Sequence, residues 1–80
     1  KTEIELENLH LINPDLETSL LADSNLSASI RYRHKPETGK LILQDEKYFF
    51  EFDKPQRAPS SGQSLVIYRD NECLGGGIIK

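Results

Sequence analysis

The sequence contains no methionine, no tryptophan and only one cysteine, Cys73. One cysteine cannot form an intramolecular disulfide, and no Cys/His cluster has the spacing of a structural metal site. No apolar run approaches the ~18 residues that a transmembrane helix requires. These absences favour an intracellular, soluble protein without a structural metal. Because the chain starts at Lys1 and lacks methionine, we expect it to be a piece of a longer protein.

The net charge of −3 argues against an autonomous nucleic-acid-binding domain, which is normally basic. The charges are unevenly distributed, however. Residues 1–25 carry six acidic and one basic residue, whereas residues 26–57 carry seven basic and five acidic residues. Any affinity for a polyanion therefore belongs to the middle of the chain.

Strict alternation of apolar and polar residues marks several short segments of this small domain, residues 1–80. Period two is typical of strands with one buried face. It is seen at residues 3–7, with a slip near Asn8, and again at residues 48–52; apolar runs occur at 41–43, 65–68 and 74–79. In the segment that begins at Leu26, one face would carry Leu26, Ala28, Ile30 and Tyr32, and the other Ser27, Ser29, Arg31 and Arg33.

Turn-forming residues separate these segments. Turns are predicted at Pro36–Gly39, Asp45-Glu46 and Asp70-Asn71, and residues 54–63 form a longer connection. One helical turn over Leu16–Leu21, capped by Asn13, is the only helix expected. About six short strands in so small a chain predict an all-β fold, a closed or partly open antiparallel barrel.

Three consecutive glycines, Gly75, Gly76 and Gly77, interrupt the last apolar run. A flexible linker would be polar on both sides and would not continue into Ile78-Ile79. A phosphate-binding loop would lead into a helix, and here the chain continues as a strand. The run therefore predicts close backbone approach or a sharp bend where the barrel closes.

No residue pattern points to catalysis or to a cofactor. Cys73 has no neighbouring base that would activate it, and we expect a half-buried strand residue. His10 and His34 lack metal-ligand spacing, and the carboxylates follow the pattern of solvated faces. We therefore predict no catalytic, cofactor-binding or metal-binding residue in this chain.

One basic cluster carries the prediction of RNA contact. It comprises Arg31, Arg33, Lys35 and Lys40. Arginines that project from one face of a sheet suit phosphate contact. An ordinary solvent-facing strand has the same composition, so this alternative stays open.

The segments 30–34, 57–68 and 72–79 together resemble the C-terminal domain of the bacterial tRNA-specific 2-thiouridylases, a family that has also carried the older label of tRNA methyltransferase. The resemblance covers residues 1–80 and is most specific at 57–79, which hold the structural motif residues Gly62, Gln63, Gly75, Gly76 and Gly77. Ser61 departs from the family pattern, which commonly has proline before the Gly-Gln pair.

The resemblance implies a larger parent enzyme with an N-terminal ATP-pyrophosphatase domain, a small central domain and this C-terminal barrel. Such a parent uses ATP and Mg²⁺ to activate the wobble uridine of tRNA and then inserts sulfur delivered by a sulfur-relay protein. It is cytoplasmic and not membrane-bound. The barrel is also similar to the second domain of translation elongation factors, which makes tRNA contact an expectation by analogy.

Three functions remain to be distinguished. The resemblance favours a non-catalytic accessory barrel that contributes to tRNA docking and to the arrangement of the catalytic and central domains. The first alternative is a purely structural packing module without RNA contact. The second is a free-standing enzyme that uses Cys73.

The isolated 80-residue chain is expected neither to bind ATP nor to form thiouridine, because it has no phosphate-binding loop and no activated nucleophile. Isothermal titration with ATP and a thiouridine assay on purified chain check this. ATP binding in the first assay, or thiolated tRNA in the second, would contradict it.

Overall fold

The alternating apolar residues form six strands in the computed structural model, which describes residues 3–23, 25–30, 35–56 and 61–80. The strands are β1 (Glu3–Leu11), β2 (Leu26–Ser29), β3 (Glu37–Gln44), β4 (Lys47–Phe52), β5 (Ser64–Arg69) and β6 (Glu72–Ile79). They are hydrogen-bonded in the order β1-β4-β3-β2-β5-β6, and β6 pairs with β1 to close the barrel. Each pairing is antiparallel. The predicted closed barrel of about six strands is confirmed.

One cluster of apolar side chains fills the barrel. Phe50 and Phe52 of β4 meet edge to face, with ring centroids 4.8 Å apart. Full burial of a Leu, Ile or Phe side chain contributes ~1.5–3 kcal/mol, so this cluster is the main source of stability. Its buried members are Ile4, Leu6, Leu20, Leu26, Ala28, Leu41, Phe50, Phe52, Leu65, Ile67, Leu74 and Ile79.

A short helical segment covers one end of the barrel, which we call the helix end. A 3-10 turn, Pro14–Leu16, leads into α1, Glu17–Ala22. The Asn13 side chain accepts a hydrogen bond from the Asp15 backbone N–H at 3.0 Å, which caps the segment. Leu20 is completely buried in the core. The predicted capped helical turn is confirmed.

Among the described residues, no helix has the length and apolarity needed to cross a membrane.

Two tight hairpins have the backbone geometry that their turn residues predict. Asp45 and Glu46 join β3 to β4 with φ of 52° and 64°, and Asp70 and Asn71 join β5 to β6 with φ of 50° and 71°. Positive φ at both central positions matches the twist of the flanking strands. Both predicted turns are confirmed.

β1 contains the predicted irregularity. Asn8 has φ of 51°, and the pairing register with β6 shifts between Glu7 and His10. An extra residue of this kind bends the strand and restores the inward direction of the following apolar side chains. Leu9 and Leu11 accordingly pack against the core although they have the opposite parity to Leu6.

β6 passes between β1 and β5 through the glycine run. A Cβ atom on Gly75, whose φ is 147°, would overlap the carbonyl oxygen of His10, and one on Gly76 would overlap the carbonyl oxygen of Leu65. A Cβ on Gly77 would lie 3.1 Å from the carbonyl oxygen of Glu7. The glycines therefore allow β6 to approach the backbones of both neighbouring strands.

Gly62 and Gln63 extend the pairing of β5 with β6. The Gly62 N–H donates to the carbonyl oxygen of Ile79 at 2.7 Å, and the Ile79 N–H donates to the carbonyl oxygen of Gln63 at 2.7 Å. Gly62 has φ of 91°, a value that glycine adopts without strain. The pair therefore fixes the end of β6.

The predicted strand that begins at Leu26 is shorter than expected. β2 ends at Ser29, and Ile30 lies in a bend. Ser29 was predicted on the solvent face, but it is only 3% exposed. Period two alone misplaced it because the alternation of the sequence continues beyond the end of the strand.

The turn predicted at Pro36–Gly39 is also wrong, because β3 begins at Glu37. Gly39 is a paired strand residue, and a Cβ there would overlap the carbonyl oxygen of Glu51 and the ring of Phe50. The glycine makes room for Phe50 and does not form a turn. Glycine in a sequence has both meanings, and only the packing distinguishes them.

Replacing Gly76 by valine is expected to lower the free energy of unfolding by ~1–3 kcal/mol or more, because the new side chain would overlap the β5 backbone. Thermal and urea denaturation measure the change. Cys73→Ala, at an exposed position of the same strand, is the control and should be mild. Equal stability of the Gly76 variant and wild type would show that the run is merely flexible.

Candidate nucleic-acid interface

The end of the barrel opposite α1 contains a cavity of about 380 Å³ and is called the cavity end. In this antiparallel sheet, the chain leaves the barrel there at Ile30 and at Gln56 and returns at Lys35 and at Ser61. The cavity is lined by Ala28, Ser29, Ile30, Lys35, Glu37, Phe52 and Gln56. The cavity is therefore built from strand ends that are far apart in sequence and meet at this end of the barrel.

Two of the predicted RNA-contacting residues, Arg31 and Arg33, lie outside the described residues. Their projection from one strand face therefore stays a prediction. Lys35 is exposed and lines the cavity, where Glu37 is the other charged lining residue that the structure describes. Of the predicted cluster, Lys35 is thus the member that the structure places at the cavity end.

Lys40 lies apart from Lys35, within β3 and on the outer surface of the barrel. Its Nζ atom is 3.4 Å from a carboxylate oxygen of Glu51, directly across from it in β4. Glu51 in turn pairs in register with Glu3 of β1. Because these carboxylates offset its charge, Lys40 is a weaker candidate for phosphate contact than Lys35.

The two ends of the barrel differ in charge. In the described part of the helix end, seven acidic residues accompany two basic residues, Lys47 and Arg69. The acidic residues are Asp15, Glu17, Asp23, Asp45, Glu46, Asp70 and Glu72. In the described part of the cavity end, the three lysines Lys35, Lys54 and Lys80 are balanced by the three acidic residues Glu3, Glu37 and Asp53. By sequence, the segments 31–34 and 57–60 add three arginines and no carboxylate. Among the described residues, the helix end is therefore strongly negative and the cavity end is not.

Arg69 at the helix end has a structural role. Its Nε donates to a carboxylate oxygen of Asp23 at 2.8 Å, and its Nη2 donates to the hydroxyl of Ser19 at 3.1 Å. The backbone N–H of Asn25 also donates to Asp23, and this bond, followed by Arg69, lowers the pKa of the carboxyl group. These bonds fasten α1 to the end of β5.

Tyr48 forms a second connection between the helix and the barrel. Its hydroxyl donates to a carboxylate oxygen of Glu17. This bond, together with partial burial and the charge of Glu17, raises the pKa of Tyr48. The carboxylates of Glu17 and Asp23 therefore anchor the helical segment to the barrel.

Cys73 is exposed on β6, which corrects the prediction of a half-buried side chain. It lies where β6 pairs with Tyr68 just before the register shift, and its side chain remains outside the core. No group of three His, Cys, Asp or Glu side chains suitable for a metal occurs in the part of the chain that the structure describes.

A groove runs along the outer surface of β6 and is called the glycine groove. It has a volume of about 330 Å³. The glycines form its floor because they carry no side chains, and none of its lining residues is acidic, lysine or arginine. These residues are Asn8, His10, Ser64, Leu65, Val66, Cys73, Gly75, Gly76, Gly77 and Ile78.

The barrel can be compared with known proteins. A family model described as the aminomethyltransferase beta-barrel domain matches residues 1–79. The chain belongs to this family. Three curated relatives are tRNA-specific 2-thiouridylases named MnmA or MnmA 2, which confirms the resemblance expected from the sequence, and the chain matches their C-terminal region.

The three relatives cover most of this barrel domain. The Halorhodospira halophila protein is 46% identical over 70% of the chain, the Aliarcobacter butzleri protein 39% identical over 95%, and the Pseudomonas putida protein 41% identical over 86%. The chain spans only 15%, 20% and 18% of their respective lengths. The activity named for those proteins therefore belongs to much longer chains.

Sequence reasoning on this family member missed two features. The opposite charges of the barrel ends were not predicted, because they depend on which loops lie together. The glycine groove was missed because the glycines were interpreted only as permitting close backbone approach. Three consecutive glycines have no side chains to cover the outer surface of the strand, and this was the signal that could have predicted a depression there.

The lowered pKa of Asp23 predicts a pH dependence of stability. Its contribution is present above the unfolded-state pKa of ~3.9 and is lost as the pH falls through the lower folded-state value. Asp23→Asn should reduce stability near pH 7 and also reduce the loss of stability on acidification below pH ~4. Urea denaturation at a series of pH values measures both effects. Parallel stability curves for wild type and variant would contradict this assignment, and Asp53→Asn, at an exposed position, is the control.

Proposed function

We propose that this barrel is a non-catalytic accessory domain of a longer tRNA-modifying enzyme and that its cavity end contributes to tRNA docking. Family membership supports the enzyme context, since the similar proteins are tRNA-specific 2-thiouridylases. The separation of charge between the two ends is the observation that carries the docking role. Phosphates are attracted by the arginines connected to the cavity end and repelled by the carboxylates of the helix end.

The chemical steps belong to other parts of such an enzyme. ATP and Mg²⁺ would be held by its catalytic domain, and sulfur would be delivered by a sulfur-relay protein. The barrel contributes by positioning the RNA and by packing against the catalytic and central domains. Binding energy from such a remote contact lowers the entropic cost of placing the uridine at the reacting centre. Because its proposed partner is tRNA, we also propose that the protein is cytoplasmic.

A double substitution of Arg31 and Arg33 by glutamate in the full-length protein tests the docking role. Loss of two phosphate contacts should weaken tRNA binding by ~1–3 kcal/mol and flatten its salt dependence. ATP affinity and barrel stability should stay nearly unchanged. Fluorescence titration with tRNA at several salt concentrations is the measurement. Equal affinities for wild type and variant would favour the purely structural alternative.

A matched pair of single substitutions tests which end of the barrel faces the RNA. Lys35 and Lys47 are both exposed lysines, one at the cavity end and one at the start of β4 near the helix end. Lys35→Glu should weaken tRNA binding, whereas Lys47→Glu should have little effect. Both substitutions change the net charge by the same amount, so a difference between them reports the position of the lysine. A larger effect of Lys47→Glu would reverse the proposed orientation.

A further inference from the structure

The glycine groove is an uncharged depression on an otherwise charged outer surface. Its floor is the backbone of Gly75 and Gly76, and its walls include Val66 and Ile78. Ile78 is 38% exposed, one of the three large hydrophobic side chains in the described ranges that are this exposed. An aliphatic side chain beside bare backbone is a surface that gains stability when another apolar group covers it.

A carboxylate lies next to the groove. Glu7 of β1 pairs in register with Ile78, and both side chains are exposed on the outer surface. Glu7 forms no salt bridge with any residue that the structure describes. The groove is thus apolar in its floor and negatively charged along its β1 side.

The other outward carboxylates of β1 and β4 have a different arrangement. Glu5 precedes Glu7 on the same face of β1 and is paired with Lys80 at 3.2 Å, and Glu51 of β4 is paired with Lys40 at 3.4 Å. Charges that are already paired offer little to a partner. The unpaired carboxylate of Glu7 therefore favours a basic residue in whatever covers the groove.

We propose that the glycine groove docks a protein segment from another domain of the same polypeptide, with one or two apolar side chains over the glycines and a basic residue facing Glu7. This inference rests on the proposed function, in which the barrel is one domain of a longer enzyme. The similar proteins are at least about five times as long as the part they share with this chain. RNA is a poor occupant, because the adjacent carboxylate of Glu7 repels phosphate and no lysine or arginine lines the groove.

Cys73 is a built-in probe of this groove, since it is the only cysteine of the chain, lines the groove and is exposed. Its rate of modification by a maleimide is measured in the 80-residue chain and in the full-length protein, both without RNA, with peptide mass spectrometry reporting on Cys73 alone. A packed interface excludes water and reagent, so we expect modification to be at least about tenfold slower in the full-length protein. Gln44→Cys, at an exposed position of β3, is the control and should react at similar rates in both.

Substitutions in the full-length protein test the chemistry of the occupant. Ile78→Arg removes the apolar contact and repels a basic partner, so it should return Cys73 to the reactivity seen in the 80-residue chain. Leu43→Arg, at a second exposed aliphatic residue that is 44% exposed, should leave Cys73 protected. Glu7→Lys should also release Cys73, because it places a positive charge opposite the basic residue of the partner. Thermal denaturation of each variant establishes that the barrel is folded.

Several results would overturn the proposal. Equal reactivity of Cys73 in both proteins would show that the groove is open. Protection within the 80-residue chain alone, accompanied by dimers in sedimentation, would identify a second copy as the occupant. Protection that appears only after tRNA is added would identify RNA, and protection unaffected by Glu7→Lys would exclude a basic segment. The modification rates are measured without RNA. If the barrel does not dock tRNA, the expected protection of Cys73 in the full-length protein is therefore unchanged.

Discussion

Closure of the barrel through β6 is the constraint on which the other features depend. This strand pairs with β1 on one side and β5 on the other, and both neighbours approach it so closely that Gly75 and Gly76 have no room for a side chain. Closure removes the exposed edges that a six-stranded sheet would otherwise present. It also encloses a single apolar core, which matters in an 80-residue chain because small domains bury a smaller fraction of their surface than large ones do.

Closure also separates the surface into regions with different chemistry. Because successive strands are antiparallel, their connections alternate between the two ends of the barrel. The tight acidic turns and α1 are gathered at the helix end, where Arg69 and Tyr48 fasten the helix. The cavity that Lys35 lines belongs to the opposite end, and the glycine groove lies on the side between the two ends. One small domain thereby keeps its acidic end apart from its cavity and its apolar groove.

The accuracy of the sequence predictions followed the range of the interactions that decide each feature. The turn at Asp45-Glu46, the cap at Asn13 and the slip at Asn8 depend on neighbouring residues, and all were predicted. Gly39 was assigned to a turn because its role depends on Phe50, which is distant in sequence. Cys73 was expected to be half-buried because residue type predicts burial only on average, and the register of β6 places it outside the core.

By itself, the sequence determined the class of fold, the family and the region of positive charge, because alternation, turn chemistry and residue identity are local properties. Tertiary structure alone decided which charges are available. Lys40 is offset by Glu51 across the sheet, whereas Lys35 opens onto the cavity. Strand register and barrel closure bring these residues together from distant positions. Electrostatic and packing energies depend on such distances in space, which the order of residues does not specify.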